Sequence, residues 1–217
     1  MKREFEKRII SSLIIIPIAL FFIVKGSTFF TFFLIIFFLA TSYEWFKMTK
    51  RNSIKILGIT FLCLAFYSAL LLRDRAGLNF FIFIIIICIS TDIGGYIFGK
   101  IFKGPKLTKI SPNKTYSGVI GSFILSVMSA SIFSQYQKSL TFFELTILQN
   151  NDLFYILIIL LISAVSQIGD LIISYFKRLA KIKNTGNLLP GHGGLLDRVD
   201  GIIFAIPTSY LLFICLN

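Results

Sequence analysis

Histidine occurs once in these 217 residues, as His192, and acidic side chains number ten against 22 lysines and arginines. Charged residues make up 15% of the chain and apolar residues 56%, which leaves too little polar surface to cover a soluble globule of this length. That excludes an ordinary water-soluble domain and points to a polytopic membrane protein. The three cysteines, Cys63, Cys88 and Cys215, are odd in number, fall in apolar runs and lack metal-ligand spacing. Packing is the role left to each. No internal repeat, long linker or low-complexity tail interrupts the chain. A single membrane domain over 1–217 is the simplest organisation, with N-terminal helices over 1–76 and the chemistry-bearing helices and loops over 77–217.

What is abundant is apolar sequence. Seven apolar segments run roughly over 9–24, 28–46, 54–72, 78–98, 117–137, 153–176 and 201–216. Most have the ~17–25 residues that an α-helix needs to cross the hydrocarbon, where every backbone polar group must be satisfied internally. The first and last are short. The expected fold class is all-α, an integral membrane bundle of about seven transmembrane helices. A basic arm precedes the first apolar run, but no small-residue cleavage site follows it, so the first span is expected to be retained.

The cations set the expected orientation. Eighteen of the 22 fall in the N-terminal arm and in the second, fourth and sixth loops; Lys25, Arg73, Arg75 and Lys138 fall on the other side. By the positive-inside rule the N-terminus and those loops are cytoplasmic. Topology and attraction to anionic headgroups account for most of the net charge of +12. A nucleic-acid partner is not expected, because the cations are spread over loops separated by membrane. The lipid bilayer is the expected surrounding, most simply a bacterial inner membrane.

Acids within the spans carry more information. Asp92 and Asp170 both lie in predicted membrane helices, where a carboxylate is costly enough to make function the default reading. Each sits roughly 10 Å from its cytoplasmic helix end at ~1.5 Å per residue, so both are placed to line one cavity open to the cytoplasm. In the sixth span Ser163, Ser166, Asp170, Ser174 and Lys177 fall within an arc of about 80°, with Gln167 beside them. Interhelical hydrogen bonding accounts for Ser163 and Ser166. Asp170 requires a cation or a proton. In the fourth span Asp92, Tyr96 and Gly99 share a face, and Gly95 and Gly99 have the spacing of close helix packing. Ser122, Ser126 and Ser129 form a further small-residue stripe that we read as packing.

Two cytoplasmic loops complete the polar inventory. Ser111, Lys114 and Thr115 precede the fifth span, where hydroxyls, a lysine and unpaired amides suit either a phosphate or a plain helix cap. The block from Ser174 to Asp200 gathers Lys177, Arg178, Lys181, Lys183, His192, Gly193, Gly194, Asp197, Arg198 and Asp200. Asp197 and Asp200 share a face if the local structure is helical, and Asp170 is able to approach from the neighbouring span. Three carboxylates with phosphate oxygens and waters would suit Mg²⁺ rather than zinc. Arg198 is placed as a salt-bridge partner or a phosphate clamp. Gly191, Gly193 and Gly194 free the backbone to approach an anion. His192 fits loop hydrogen bonding, phosphate contact or proton handling equally.

These residues resemble a known signature. Gln167, Gly169, Asp170, Ser174, Lys177, Arg178, Lys183, Gly186, the run Leu189 to Gly194, and Asp197 to Asp200 are similar to the C-terminal motif of the phosphatidate cytidylyltransferases, or CDP-diacylglycerol synthases. Asp92, Tyr96, Gly99, Lys100 and the run Ser111 to Thr115 match that family's upstream motifs in order and spacing. The resemblance spans about half the chain, from Asp92 to Asp200, and the first three spans carry no recognisable signature. Asn184 stands where the family usually has Asp, and Ser117 where Glu is common. The chain also has fewer spans than many relatives.

The resemblance implies transfer of a cytidylyl group from CTP to phosphatidic acid, giving CDP-diacylglycerol and pyrophosphate in phospholipid biosynthesis. It further implies Mg²⁺ on Asp170, Asp197 and Asp200, with a monovalent cation as a candidate second ion. Lys177, Arg178 and Arg198 would offset developing charge. Asp92, Ser111, Lys114, Thr115, Ser174, His192, Gly193 and Gly194 would bind substrate. A second copy of the chain is a candidate partner, giving a homodimer. The alternatives are a CTP-dependent enzyme on another lipid, such as a polyprenol kinase or an archaeol-type cytidylyltransferase, and an ion-coupled transporter.

Overall fold

A computed structural model describes residues 2–108, 110–137, 152–188 and 193–216. The described chain is helical, in the order α1 (Lys2–Lys25), α2 (Ser27–Met48), α3 (Asn52–Arg75), α4 (Gly77–Phe102), α5 (Tyr116–Gln137), α6 (Asp152–Leu179), α7 (Leu196–Val199) and α8 (Ile202–Leu216). Five of these, α2 to α6, are long and apolar enough to cross a membrane; apolar stretches in α1 (Ile15–Lys25) and α8 (Ile202–Leu216) are shorter. The all-α membrane bundle expected from the sequence is therefore present, with seven apolar helices among the described residues, of which five are of full spanning length.

Several helices outrun their apolar segments. α3, α4 and α6 continue to Arg75, Phe102 and Leu179, because lysine and arginine sustain a helix after the hydrocarbon ends. Breaks occur where the backbone must change hand. Gly26 separates α1 from α2 at φ 65°, and Arg73 closes the end of α1 by donating from Nε to the Ile23 carbonyl at 3.2 Å. Lys103 ends α4 in the left-handed region at φ 44°.

The closest pairing is α4 on α5, and small residues make it possible. A Cβ at Gly94 would meet the Gly121 carbonyl oxygen at 2.5 Å, and one at Gly118 would meet that of Gly95 at 2.8 Å. Ser122 donates to the Thr91 carbonyl at 2.7 Å, and the Thr91 and Ser163 hydroxyls lie 2.8 Å apart, joining α4, α5 and α6. The packing roles expected for Gly95, Ser122 and Ser163 are those the structure gives them. Ser126 is fully buried as well, and its hydroxyl and that of Ser129 bond back within their own helix, to the Phe123 and Ser126 carbonyls.

Two apolar clusters hold the bundle. The larger centres on Phe30, Leu72, Ile84, Ile87, Ile159 and Ile162. The smaller one unites Trp45, Met48, Leu62, Ala65, Ile173, Leu196 and Ile203, drawn from α2, α3, α6, α7 and α8. Trp45 fixes the end of α2: its indole N–H donates to the Ile54 carbonyl at 3.1 Å and its ring meets Phe176 edge-on at 4.9 Å. Against this second cluster sit the polar loops.

Candidate active site

The loop between α4 and α5 is held before it reaches any partner. Leu107 N–H donates to the Lys114 carbonyl at 2.8 Å, and Tyr116 N–H to that of Pro105 at 3.1 Å. The Thr115 hydroxyl accepts from Gly118 N–H at 3.1 Å, a helix N-cap. Ser117 accepts from Gly104 N–H at 3.3 Å, so the residue standing in place of the family's usual acid ties down the loop's start. Ser111 turns the chain, its carbonyl accepting from Lys114 N–H at 3.1 Å. These bonds project Lys114 across to α6, where its ammonium lies 2.6 Å from the Asp170 carboxylate and 3.3 Å from the Gln167 carbonyl. Arg178 anchors the same loop from the other side, donating from Nε to the Ile110 carbonyl at 3.2 Å.

Asp170 is the centre of the polar cluster. Ser174, one turn along α6, donates to its Oδ1 at 3.4 Å. The Asp200 carboxyl comes into hydrogen-bonding contact with that of Asp170, and Lys177 exerts its charge on both. Asp92 lies within electrostatic reach of Asp170, Asp200, Lys114 and Arg198. Burial pushes the Asp200 carboxyl well above the usual carboxylate range, and the adjacent Asp170 charge raises it further. Gln167 Nε2 is buried with no hydrogen-bond partner among the described residues, an orphan donor on the helix that carries Asp170.

Asp197 is held differently. It lies in the one-turn helix α7, with Asp200 just past its end, but its oxygens are taken. Lys177 reaches Oδ1 at 2.8 Å, and the N–H groups of Thr185 and Gly194 donate to Oδ2 at 2.8 and 3.3 Å. Among the described residues no group of three or more His, Cys, Asp or Glu is drawn together as a metal cluster. Where the sequence suggested a trio of carboxylates, the structure gives a pair, Asp170 with Asp200, beside an Asp197–Lys177 ion pair. The reason is that the Thr185 and Gly194 amides and the Lys177 ammonium are all directed at Asp197.

Gly193 adopts φ 91°, a conformation suited to glycine. Gly194 has no room for a side chain, since a Cβ there would collide with the Thr185 hydroxyl and approach Glu44 Oε2 at 2.6 Å. The anion that this glycine approaches is thus Glu44, a residue absent from our sequence expectations. It sits in α2 at 1% exposure and accepts from Thr185, Leu195 and Leu196. The signal was available: Glu44 falls inside the second apolar segment, and the rule that singled out Asp92 and Asp170 applies to it equally. His192, with Leu189, Pro190 and Gly191, lies outside the described residues.

The sequence pattern of the cytidylyltransferase family matches residues 56–216. The chain is 33% identical over 214 residues to a "Phosphatidate cytidylyltransferase" of Rickettsia typhi (strain ATCC VR-144 / Wilmington), covering 96% of this chain and 92% of that protein. It is 32% identical over 223 residues to the protein so named in Rickettsia prowazekii (strain Madrid E), covering 100% of this chain and 93% of the relative. Similarity to the protein of that name in Bacillus subtilis (strain 168) is 35% over 152 residues, or 70% of this chain and 53% of the relative. The chain thus spans about half the length of the Bacillus relative and nearly all of the two rickettsial ones.

Proposed function

The chain belongs to the cytidylyltransferase family, and from that premise we propose that it is a phosphatidate cytidylyltransferase, converting CTP and phosphatidic acid to CDP-diacylglycerol and pyrophosphate. The observation that carries this reading is the alignment over nearly the whole of the rickettsial relatives, together with a cation-lined carboxylate site on the residues of the matched segment. The site faces the cytoplasm, where CTP is found, because the loops that build it lie on the side that holds 18 of the chain's 22 lysines and arginines.

In the reaction an oxygen of the lipid phosphate forms a bond to the α-phosphorus of CTP, while the bond to the α–β bridging oxygen breaks and pyrophosphate leaves. The nucleophile is already an anion, so no side chain need remove a proton from it. The task is to bring two polyanions together and offset the charge that builds on the leaving group. Lys114 and Lys177 line the carboxylate cluster. Arg178 holds the loop that carries Lys114, and Arg198 extends from α7 within reach of Asp92. The buried Gln167 amide is a further donor for a phosphate oxygen. Thr115 serves this arrangement by capping α5, Ser174 by bonding Asp170.

The donor set suits Mg²⁺. Two carboxyl groups in contact, all-oxygen, form the kind of pair that this ion takes when substrate phosphates and waters supply its other ligands. Asp170 and Asp200 would hold it, and when bound it would supply positive charge to the triphosphate. Asp197 then belongs to loop anchoring rather than to ligation. The acyl chains stay in lipid, against the exposed apolar faces of the bundle.

Incubating the purified protein with labelled CTP and a panel of phosphatidic acid, polyprenol and archaeol-type lipids tests the assignment. Label in CDP-diacylglycerol from phosphatidic acid supports it; label in another lipid alone would refute it.

A further inference from the structure

We infer that Glu44, near the end of α2, is a positioning residue for cytidylyl transfer: it clamps Thr185, Leu195 and Leu196 against the bundle and so holds Asp197 and Lys177 beside the Asp170–Asp200 pair. The inference rests on the function proposed above. Glu44 Oε1 accepts from Leu195 N–H at 2.9 Å, and Oε2 accepts from Leu196 N–H at 2.8 Å and from the Thr185 hydroxyl at 2.9 Å. Among the described residues the ion pairs are Lys114 with Asp170 and Lys177 with Asp197, and neither includes Glu44. A carboxylate at 1% exposure with no cation paired to it among the described residues is tolerated only where fixed donors replace water. Here all three donors come from one loop.

Two carboxylates grip that loop through the same residues. Thr185 gives its backbone N–H to Asp197 and its hydroxyl to Glu44. Three consecutive amides divide likewise, Gly194 to Asp197 and Leu195 and Leu196 to Glu44. Asp197 in turn holds Lys177, whose charge acts on Asp170 and Asp200. A chain of direct contacts therefore runs from a helix without signature motifs to Lys177, whose charge reaches the Asp170–Asp200 pair. Steric evidence agrees, since a Cβ at Gly186 or at Gly194 would come within 2.6 Å of a Glu44 oxygen. Gly186 is thus set by how closely the loop backbone approaches this side chain, and Gly194 by the Thr185 hydroxyl together with it. Trp45, buried and bonded to Ile54, prevents the end of α2 from yielding.

Glutamine at position 44 keeps the shape but turns an amide N–H₂ toward backbone donors, so at least one of the three bonds is lost. The test compares the full-length wild type, Glu44→Gln, Thr185→Val and the double variant, purified in detergent. It measures kcat, KM for CTP and phosphatidate, melting temperature, and amide exchange over 185–196. Each single variant is expected to lower kcat/KM for CTP by about 10- to 100-fold, the scale of a misplacement of about 1 Å. KM for phosphatidate should be unchanged, and loop exchange faster. The double variant should be no worse than the more impaired single variant, because both remove one shared contact. Wild-type kinetics in Glu44→Gln, or defects that multiply in the double variant, would overturn the inference. So would a loss accounted for entirely by a smaller folded fraction. If Glu44→Gln does not fold, Thr185→Val decides alone, and unchanged turnover in it counts against the clamp. A wild type without cytidylyl transfer sinks the proposed function instead, and loop exchange still reads the clamp.

Discussion

The Lys114 ammonium, carried on the loop before α5, meets the Asp170 carboxylate of α6 at 2.6 Å. The two residues are 56 positions apart and come from separate motifs, so the pair joins the two halves of the signature into one site. It also answers how a carboxylate persists at that depth in a membrane helix: a lysine is brought to it by a loop whose own hydrogen bonds fix its course.

Lys114→Met leaves Asp170 without this counter-ion. Cytidylyl transfer should fall by about 10²-fold or more, as when one preorganised charge is removed from a reacting centre. The melting temperature in detergent should also drop. Lys114→Arg should recover stability more than turnover, because a planar guanidinium does not reproduce a compact ammonium. Steady-state rates beside a thermal melt check both; near-normal turnover in Lys114→Met would remove the pair from the mechanism.

Asp200→Asn separates ligation from folding. Removing one of two like charges in contact should leave the metal-free protein as stable as the wild type or more so, while turnover falls by about 10²-fold or more. Melting in EDTA and turnover across a magnesium series check this. An Asp200→Asn enzyme with wild-type turnover and magnesium dependence would mean that the pair holds no ion.

Stability should depend on pH in the same place. The folded protein holds a proton on Asp200 well above the ordinary value of 3.8, chiefly because the group is buried and secondly because Asp170 is beside it. Folded protein then binds more protons than unfolded chain, so this contribution is present at low pH and is lost as pH rises through the raised value. Melting temperature in EDTA should decline over that window. Asp200→Asn should flatten the decline, and magnesium should offset it. A wild-type curve that rises through the window would contradict the assignment.

Site cations and topology cations should behave differently. Lys177→Ala breaks the 2.8 Å pair with Asp197 and should cut turnover strongly, whereas Lys47→Ala, at the exposed end of α2, should leave it unchanged. Equal effects in parallel assays would mean that the loop charges act only on topology.

Much of the fold was legible because lipid solvation writes itself into composition. Runs of Ile and Phe marked the helices, and small residues such as Gly95 and Ser122 marked where they touch. Helix ends were less legible, since Lys100, Lys177 and Arg178 continue a helix that hydropathy alone would stop. Within the site, Asp170 and Lys114 were recognisable one by one, but not that they meet, because contact depends on the loop from Lys103 to Thr115. Asp197 was read as a ligand from its spacing to Asp200. Its spacing could not reveal that the amides of Thr185 and Gly194 would turn toward it. Glu44 escaped because no motif surrounds it, although its position in an apolar segment was itself the clue.

The most direct measurement follows the phosphorus. Purified protein given phosphatidic acid and CTP labelled at the α-phosphate should place label in the lipid product and release unlabelled pyrophosphate. CTP labelled at the γ-phosphate should leave the lipid unlabelled and put all label in pyrophosphate. Lipid labelled from the γ position would mean a kinase, and would contradict cytidylyl transfer at the Asp170 site.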